Sequence, residues 1–141
     1  MEIFDRNRDI GEVNQLSPLV WAYIGDSVYE MYIRMHLVNG SYAKPHKLHL
    51  ESIKYVKAKA QAEILDKIMD SLTEKEIEIV KRGRNAENHH TAKNATTAEY
   101  SHATAFEALI GYLYLKKNFD RINALMEIIY NLWKNGEVSY V

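Results

Sequence analysis

The sequence contains no cysteine, and it has only two prolines and six glycines in 141 residues. The lack of cysteine excludes disulfides, thiolate metal sites and cysteine nucleophiles, and it agrees with a reducing compartment. Few prolines and glycines mean few interruptions to helices. The N-terminal segment MEIFDRNRDI lacks the apolar core of a signal peptide, and no uncharged apolar run is long enough to span a bilayer. We therefore expect a cytoplasmic protein with no membrane partner.

The sequence also lacks an excess of either charge. It has 18 lysines and arginines against 19 aspartates and glutamates, for a net charge of −1. A surface that binds nucleic acid must therefore concentrate its positive charge in one place. Hydrophobic residues make up 47% of the chain, which is typical of a globular protein. The length suits one domain, and we expect a single domain over residues 1–141.

Helical periodicity fills most of the chain and predicts an all-α fold. The first long helix should begin at Ser17-Pro18 and end near Val38, where Asn39-Gly40 offers a left-handed stop. A second run, residues 44–70, is long for one helix, and we expect it to bend or break. The first long helix carries one apolar stripe at spacings of three and four, made of Leu16, Val20, Ile24, Val28, Met31 and Met35.

Three further helices are predicted in the second half of the chain. The segment from Thr73 to Glu76 fits a capping box that opens a short helix, which should end near Asn85. Residues 86–98 lack periodicity and are predicted to form the longest loop. The helical period returns from about Glu99. The last helix should start at Phe119-Asp120 and close at Asn135-Gly136.

Two acidic residues stand among apolar neighbours on predicted helices. In AYIGDSVYE, Asp26 follows Gly25 and shares a helix face with Glu30. In ATAFEALIGYLYL, Glu107 lies one turn before Gly111. The two glycines would let helices cross closely beside the acids, and ligation by carboxylate oxygens suits Mg²⁺ or Mn²⁺ rather than zinc. The alternatives are a solvated acidic pair at Asp26 and Glu30, and a structural ion pair at Glu107.

Three strings in the same order, YIGDSVYE, RGRNA and TAFEALIGYLYL, resemble the catalytic domain of ribonuclease III. The strings KPHKLH and KYVKAKAQA are similar to its compact bacterial branch, Mini-ribonuclease III. The resemblance extends roughly from Asn14 to Gly136. It implies a homodimeric helical bundle that cuts double-stranded RNA with a divalent metal and leaves 5′-phosphate ends. In the compact branch the implied substrate is the precursor of 23S, the large-subunit ribosomal RNA.

The resemblance also assigns roles to individual residues. It implies that Asp26 and Glu107 are the catalytic and metal-binding acids, with Mg²⁺ as cofactor and Mn²⁺ as a substitute. Three residues near them are weaker candidates: Tyr23, Glu30 and Thr104. Larger relatives carry further acids at the places that Leu19, Ala22 and Thr104 occupy here. They also carry a separate double-stranded RNA-binding domain, for which this chain has no room.

Contacts to RNA are expected from the basic residues. The densest basic group is Lys81, Arg82 and Arg84, which makes Lys81 a candidate RNA contact. The resemblance implies RNA contacts from Arg82, Arg84 and Asn85, and the string KRGR also fits a solvated helix end. A second candidate run is Lys54, Lys57, Lys59 and Gln61, with Lys59 as the preferred contact and a solvated helix face as the alternative. The expected partners are double-stranded RNA, a second copy of the chain and, as a further candidate, a ribosomal protein.

Two other functions compete with the nuclease. The first is a non-catalytic helical relative that binds structured RNA or the ribosome, which the missing acids at Ala22 and Thr104 would favour. The second is a serine hydrolase, because GDS begins the nucleophile block of some esterases. That chemistry needs its serine at a strand-to-helix turn, whereas Ser27 is predicted to lie well inside a helix.

Overall fold

The computed structural model describes residues 10–40, 44–86 and 97–138. Within those ranges all secondary structure is helical, which confirms the all-α prediction. The helices are α1 (Ile10–Val13), α2 (Pro18–Gly40), α3 (Pro45–Val56), α4 (Ala58–Ile68), a 3₁₀ turn (Met69–Ser71), α5 (Glu74–Asn85), α6 (Thr97–Leu115) and α7 (Phe119–Lys134). A search of the described helices finds none with the length and apolarity that a membrane span requires.

Most predicted boundaries are confirmed. The long run breaks at Lys57, whose extended backbone (φ −66°, ψ 153°) separates α3 from α4. Thr73 and Glu76 form the predicted capping box at the start of α5. The chain leaves α7 through Gly136, which has a left-handed φ of 68°. The predicted stop at Asn39-Gly40 is wrong, since both residues are still helical; glycine permits the left-handed conformation but does not impose it.

The predicted loop over residues 86–98 lies mostly outside the described residues, which end at Ala86 and resume at Thr97. At Thr97 the chain is already helical, so α6 begins two residues before the expected start at Glu99. Such a difference is common at helix ends, where the first turn has few intrahelical hydrogen bonds.

Helix α6 lies at the centre of the bundle, with α2, α4 and α5 packed against it. Every residue from Ala103 to Leu113 is buried except Glu107, which is partly buried. The core beside it is aromatic and aliphatic: Phe106 meets Tyr29 of α2 edge to face, with ring centroids 4.9 Å apart. An acidic side chain in the middle of such a helix needs a specific reason to be there.

Helix α2 is apolar on more than one side, and the structure buries a different side from the predicted stripe. Its buried residues are Trp21, Ala22, Gly25, Tyr29 and Ile33. From the predicted stripe, Val20, Met31 and Met35 are 41%, 60% and 51% exposed. Periodicity alone could not choose between two apolar faces of one helix; close packing of Gly25 on α6 decides which face lies inward.

Candidate functional site

The backbones of α2 and α6 touch where the two predicted glycines meet. A Cβ atom added to Gly25 would lie 1.7 Å from the carbonyl oxygen of Glu107, and one added to Gly111 would lie 1.7 Å from that of Trp21. No side chain larger than hydrogen fits at either place. The crossing therefore depends on both glycines, and it brings Asp26, the neighbour of Gly25, beside Glu107.

The carboxyl groups of Asp26 and Glu107 are hydrogen-bonded to each other. Asp26 is exposed at the surface of α2, whereas Glu107 is partly buried on α6. Burial, followed by the negative charge of Asp26 and the hydrogen bond to it, raises the pKa of Glu107 to about 8. The structure thus brings together the two acids that the sequence singled out, and burial beside Asp26 favours the protonated form of Glu107.

The chemistry of this pair fits a hydrated magnesium ion. Among the described residues no lysine or arginine forms an ion pair with either carboxyl group. The described ranges also contain no group of three or more histidine, cysteine or acidic side chains that could hold a metal. Mg²⁺ is commonly bound through one or two carboxylates while it keeps several waters, so two acids are enough. A cation would also relieve the repulsion between them.

Gln61 is the third side chain at the acid pair, and the sequence placed it wrongly. The sequence grouped it with surface lysines as an RNA contact, but it is only 2% exposed. Its Nε2 donates to the carbonyl oxygen of Val56 at 2.7 Å. The same amide lies beside the Glu107 carboxyl and acts to lower the pKa of Glu107. A signal was present: Gln61 lies on the buried side of α4, in helical spacing with Ile64, Leu65 and Ile68.

At positions 22 and 104, where the resemblance places further acids in larger relatives, this chain has no carboxylate. Ala22 is buried on α2, with a side chain that offers no donor atom. Thr104 is 7% exposed, and its hydroxyl donates back into α6, to the carbonyl oxygen of Tyr100 at 3.0 Å. The described part of the site therefore consists of Asp26, Glu107 and the Gln61 amide.

Two weaker candidates, Glu30 and Tyr23, lie on α2 near Asp26 without contacting Glu107. Glu30 forms an ion pair with Arg34 one turn further on, at 3.0 Å. This cation explains how acids at positions 26 and 30 can share a helix face. Tyr23 is 78% exposed. The structure therefore places both at the rim of the site.

The basic end of α5 lies next to the turn of α6 that carries Glu107. A Cβ added to Gly83 would lie 2.8 Å from the Cβ of Ala108 and 3.0 Å from the Cα of Ala105, so this glycine sets the close packing. Lys81, Arg84 and Asn85 are exposed there, and Lys59 is exposed on α4. Positive charge is therefore exposed at the end of α5 and on α4.

Arg82 is engaged with the protein itself. Its guanidinium carbon lies 4.6 Å from the ring centroid of Trp21, a cation–π contact. Its Nη1 also donates to the carbonyl oxygen of Asn14 at 3.4 Å. The sequence offered no sign of these contacts, because Arg82 is distant along the chain from both Asn14 and Trp21. Arg82 thus ties the end of α5 to the start of α2.

The serine-hydrolase hypothesis is not supported by the position of Ser27. This serine lies in the interior of α2, which runs from Pro18 to Gly40. The described ranges contain no strand, so they contain no strand-to-helix turn of the kind a serine nucleophile uses.

Comparisons with known proteins identify the family of this chain. A family model for the ribonuclease III domain matches residues 19–118. The Mini-ribonuclease 3 of Brevibacillus brevis is 48% identical over 114 residues, which cover 81% of this chain and 85% of that protein. The Mini-ribonuclease 3 of Streptococcus pneumoniae is 47% identical over 117 residues, which cover 82% and 91%. A crystal structure of a Fusobacterium nucleatum protein matches with a TM-score of 0.74 and 35% identity, covering 80% of this chain and 92% of that one. The chain therefore belongs to the ribonuclease III family, in its Mini-ribonuclease 3 branch.

Proposed function

We propose that this protein is an endoribonuclease that cuts double-stranded RNA with a divalent cation held by Asp26 and Glu107. The observation that carries the proposal is the direct contact of two carboxyl groups from separate helices. Among the described residues no basic side chain neutralises this contact. Two acids in contact favour a shared cation, and family membership supplies the reaction class, hydrolysis of an RNA phosphodiester.

Mg²⁺ is the proposed cofactor, with Mn²⁺ as a substitute. When bound, the ion would supply an activated water and positive charge for the phosphate and the leaving 3′-oxygen. Asp26 would hold the ion from the exposed side of α2, and Glu107 from α6. Glu107 must give up its proton to become a ligand, because the carboxylate is the form that binds. The products would carry 5′-phosphate and 3′-hydroxyl ends.

The exposed end of α5 is the proposed RNA-binding surface. Double-stranded RNA is recognised mostly through phosphates and 2′-hydroxyls, which suit lysine, arginine and asparagine side chains. The proposed contacts are Lys59, Lys81, Arg82, Arg84 and Asn85. Arg82 would contribute a guanidinium that Trp21 already holds in place. Neutralising exposed members of this group should weaken RNA binding and reduce its salt dependence.

The exposed apolar side of α2 is the proposed dimer interface. It carries Val20, Tyr23, Met31, Met35 and Val38, which are between 41% and 78% exposed. A two-fold dimer would cover this side with the same side of a second copy, and two sites related by a two-fold axis suit the two strands of a duplex. Sedimentation tests this directly: the wild type should be a dimer, and Met31→Glu should shift it toward monomer.

Replacing Asp26 tests the proposed function. Asp26→Asn keeps the size of the side chain but removes its charge. We expect the wild type to cut double-stranded RNA only when Mg²⁺ is present, and the variant to be slower by about a thousandfold, the several kcal/mol that a catalytic ion contributes. RNA binding in Ca²⁺ should be retained. Glu30→Gln is the control, since Glu30 pairs with Arg34 and does not contact Glu107.

Two outcomes would contradict the proposal. If Asp26→Asn cut RNA at the wild-type rate, Asp26 would not be a catalytic acid. If the wild type bound double-stranded RNA without cutting it at any Mg²⁺ concentration, the non-catalytic alternative would replace the nuclease. A loss of catalysis would then explain the absence of acids at Ala22 and Thr104.

The biological substrate, partners and location stay predictions. The family resemblance proposes the 23S ribosomal RNA precursor, which can be tested by mapping the ends that the protein produces on that RNA. A ribosomal protein that raises the cleavage rate, and recovery of the protein in the cytoplasmic fraction, are to be tested separately. No described side chain selects among these RNAs or partners.

A further inference from the structure

Four polar or charged side chains are buried in the described part of the chain: Ser52, Gln61, Glu76 and Thr104. In three of them the side chain finds its partners inside the protein. Ser52 donates to the carbonyl oxygen of His49 at 2.7 Å, Glu76 binds Arg121, and Thr104 bonds within α6. Gln61 differs, because its buried Oε1 has no hydrogen-bond partner.

The partners that Gln61 does have lie on two different elements. Its Nε2 donates to the carbonyl oxygen of Val56, the last residue of α3, at 2.7 Å. That carbonyl is available because the helix breaks at Lys57 instead of continuing into α4. The same amide lies beside the Glu107 carboxyl on α6, where it acts to lower the pKa of Glu107 and so favours the carboxylate. Gln61 therefore connects the break between α3 and α4 to one of the two acids.

Stability alone does not explain a glutamine at this position. A methionine or leucine would fill the same space between α4 and α6 and would remove the unsatisfied Oε1, while the Val56 carbonyl oxygen would lose one donor. The neighbours on the buried side of α4 are Ile64, Leu65 and Ile68, all apolar. An apolar side chain cannot supply a hydrogen-bond donor at this place. The amide supplies one, and its bond to the Val56 carbonyl oxygen holds it beside Glu107.

We propose that Gln61 is a positioning residue, which holds the Glu107 carboxylate in the orientation that lets it share a divalent cation with Asp26. The inference rests on the proposed function, since it concerns the same two acids. Partners that orient ligands in this way commonly contribute 10- to 100-fold to metal affinity or activity. The break at Lys57 then has a functional role, because it frees the Val56 carbonyl oxygen to accept the hydrogen bond from the Gln61 amide.

The test replaces Gln61 with methionine, which has nearly the same shape and no hydrogen-bond donor. Direct binding of Mn²⁺ is measured by electron paramagnetic resonance, alongside kcat, KM for double-stranded RNA and the melting temperature. For Gln61→Met we expect Mn²⁺ affinity and kcat to fall about 10- to 100-fold, with an unchanged KM. The melting temperature should stay close to that of the wild type, because removal of the unsatisfied Oε1 offsets the lost bond to Val56. Ser52→Ala is the control, because it removes another buried side-chain hydrogen bond, the one to the carbonyl oxygen of His49.

The outcomes separate this inference from the proposed function. Wild-type Mn²⁺ affinity in Gln61→Met would overturn the inference even if the wild type cuts RNA. A loss of activity that follows a lower melting temperature, as in a damaged core, would overturn it too. Weaker Mn²⁺ binding at unchanged stability would support it, whether or not the wild type cuts the chosen RNA, and Asp26→Asn tests the function itself.

Discussion

Glu76 is buried and Glu107 is partly buried in the same bundle. The surroundings of Glu76 stabilise its negative charge, whereas those of Glu107 destabilise it. Glu76, in the first turn of α5, accepts hydrogen bonds from Nε and Nη2 of Arg121 at 2.8 and 2.9 Å. Burial acts to raise the pKa of Glu76, yet the bonds from Arg121 and Thr73 outweigh it and lower the pKa overall. Glu107 faces Asp26 instead, and burial together with that carboxyl raises its pKa to about 8.

The comparison separates a structural acid from a functional one. The negative charge of Glu76 is balanced within the chain, because Arg121 supplies the opposite charge and Thr73 completes the capping box. Glu107 has no cationic partner among the described residues, and the negative charge of Asp26 further disfavours its carboxylate form. A partly buried carboxyl whose pKa is shifted by a second acid is typical of sites that bind a metal or move protons. The partner, more than the burial, distinguishes the two acids.

The largest expected effect comes from Gly25→Ala, which would push Asp26 away from Glu107. The new Cβ would lie 1.7 Å from the Glu107 carbonyl oxygen, so α2 and α6 must separate. We expect a loss of at least about 4 kcal/mol of stability, or failure to fold, because the clash is between backbones. Chemical denaturation measures this. Gly40→Ala in the same helix, where a Cβ meets no described atom within 4 Å, should stabilise by about 0.5–1 kcal/mol. Equal stability of the two variants would contradict the close crossing.

Arg121→Ala should remove the cation from Glu76 and make it resemble Glu107. An acid left buried without its partner destabilises the fold by about 3 kcal/mol at neutral pH. The lowered pKa of Glu76 means that the pair stabilises the protein above pH 4.5 and that this contribution is lost as the pH falls through the folded pKa. Unfolding of wild type and variant from pH 3 to pH 7 measures the difference, which should shrink toward pH 3. RNA cleavage at a temperature where both are folded should not change.

Glu107→Gln should have the opposite effect on stability. In the metal-free protein, Glu107 binds a proton up to about pH 8, whereas the unfolded chain releases it near pH 4.5. Wild-type stability therefore decreases as the pH rises between these values, and the variant escapes that loss. We expect the variant to be more stable by roughly 4 kcal/mol at pH 8.5 in the presence of a chelator, close to the wild type in stability at pH 5, and inactive. A destabilised variant at pH 8.5 would mean that the acid is held by an internal cation.

The smallest effect is expected from Arg34→Ala, which removes the exposed cation of Glu30. Both side chains of this pair are exposed, at 61% and 39%, so solvent screens the interaction. The free energy of unfolding should change by less than about 0.5 kcal/mol, and the cleavage rate should stay within a factor of two. Denaturation curves and initial rates measured beside Arg121→Ala provide the comparison. A loss of stability as large as that of Arg121→Ala would contradict a solvent-screened pair, and a large fall in the cleavage rate would show that Glu30 belongs to the functional site.

Local features of this protein could be predicted from the sequence because they depend on nearby residues. The capping box at Thr73, the break at Lys57 and the turn at Gly136 each follow from one or two side chains and the backbone beside them. The helical content follows from spacing in the same way. The acids Asp26 and Glu107 could be named as candidates, since charged residues among apolar helical neighbours are unusual.

The remaining features depend on which helix faces meet, and a single sequence does not encode that locally. Two sides of α2 are apolar, and only the contact of Gly25 with α6 decides that Tyr29 lies inside and Met31 outside. The same packing turned Gln61 from an expected surface residue into a partner of Glu107, and it placed Arg82 over Trp21. The sequence by itself determined the helices, their caps and the identity of the acids, because these follow from neighbours within a turn or two. Only the tertiary structure decided that the acids touch without a cation between them, because that contact requires two glycines on different helices to pack backbone against backbone.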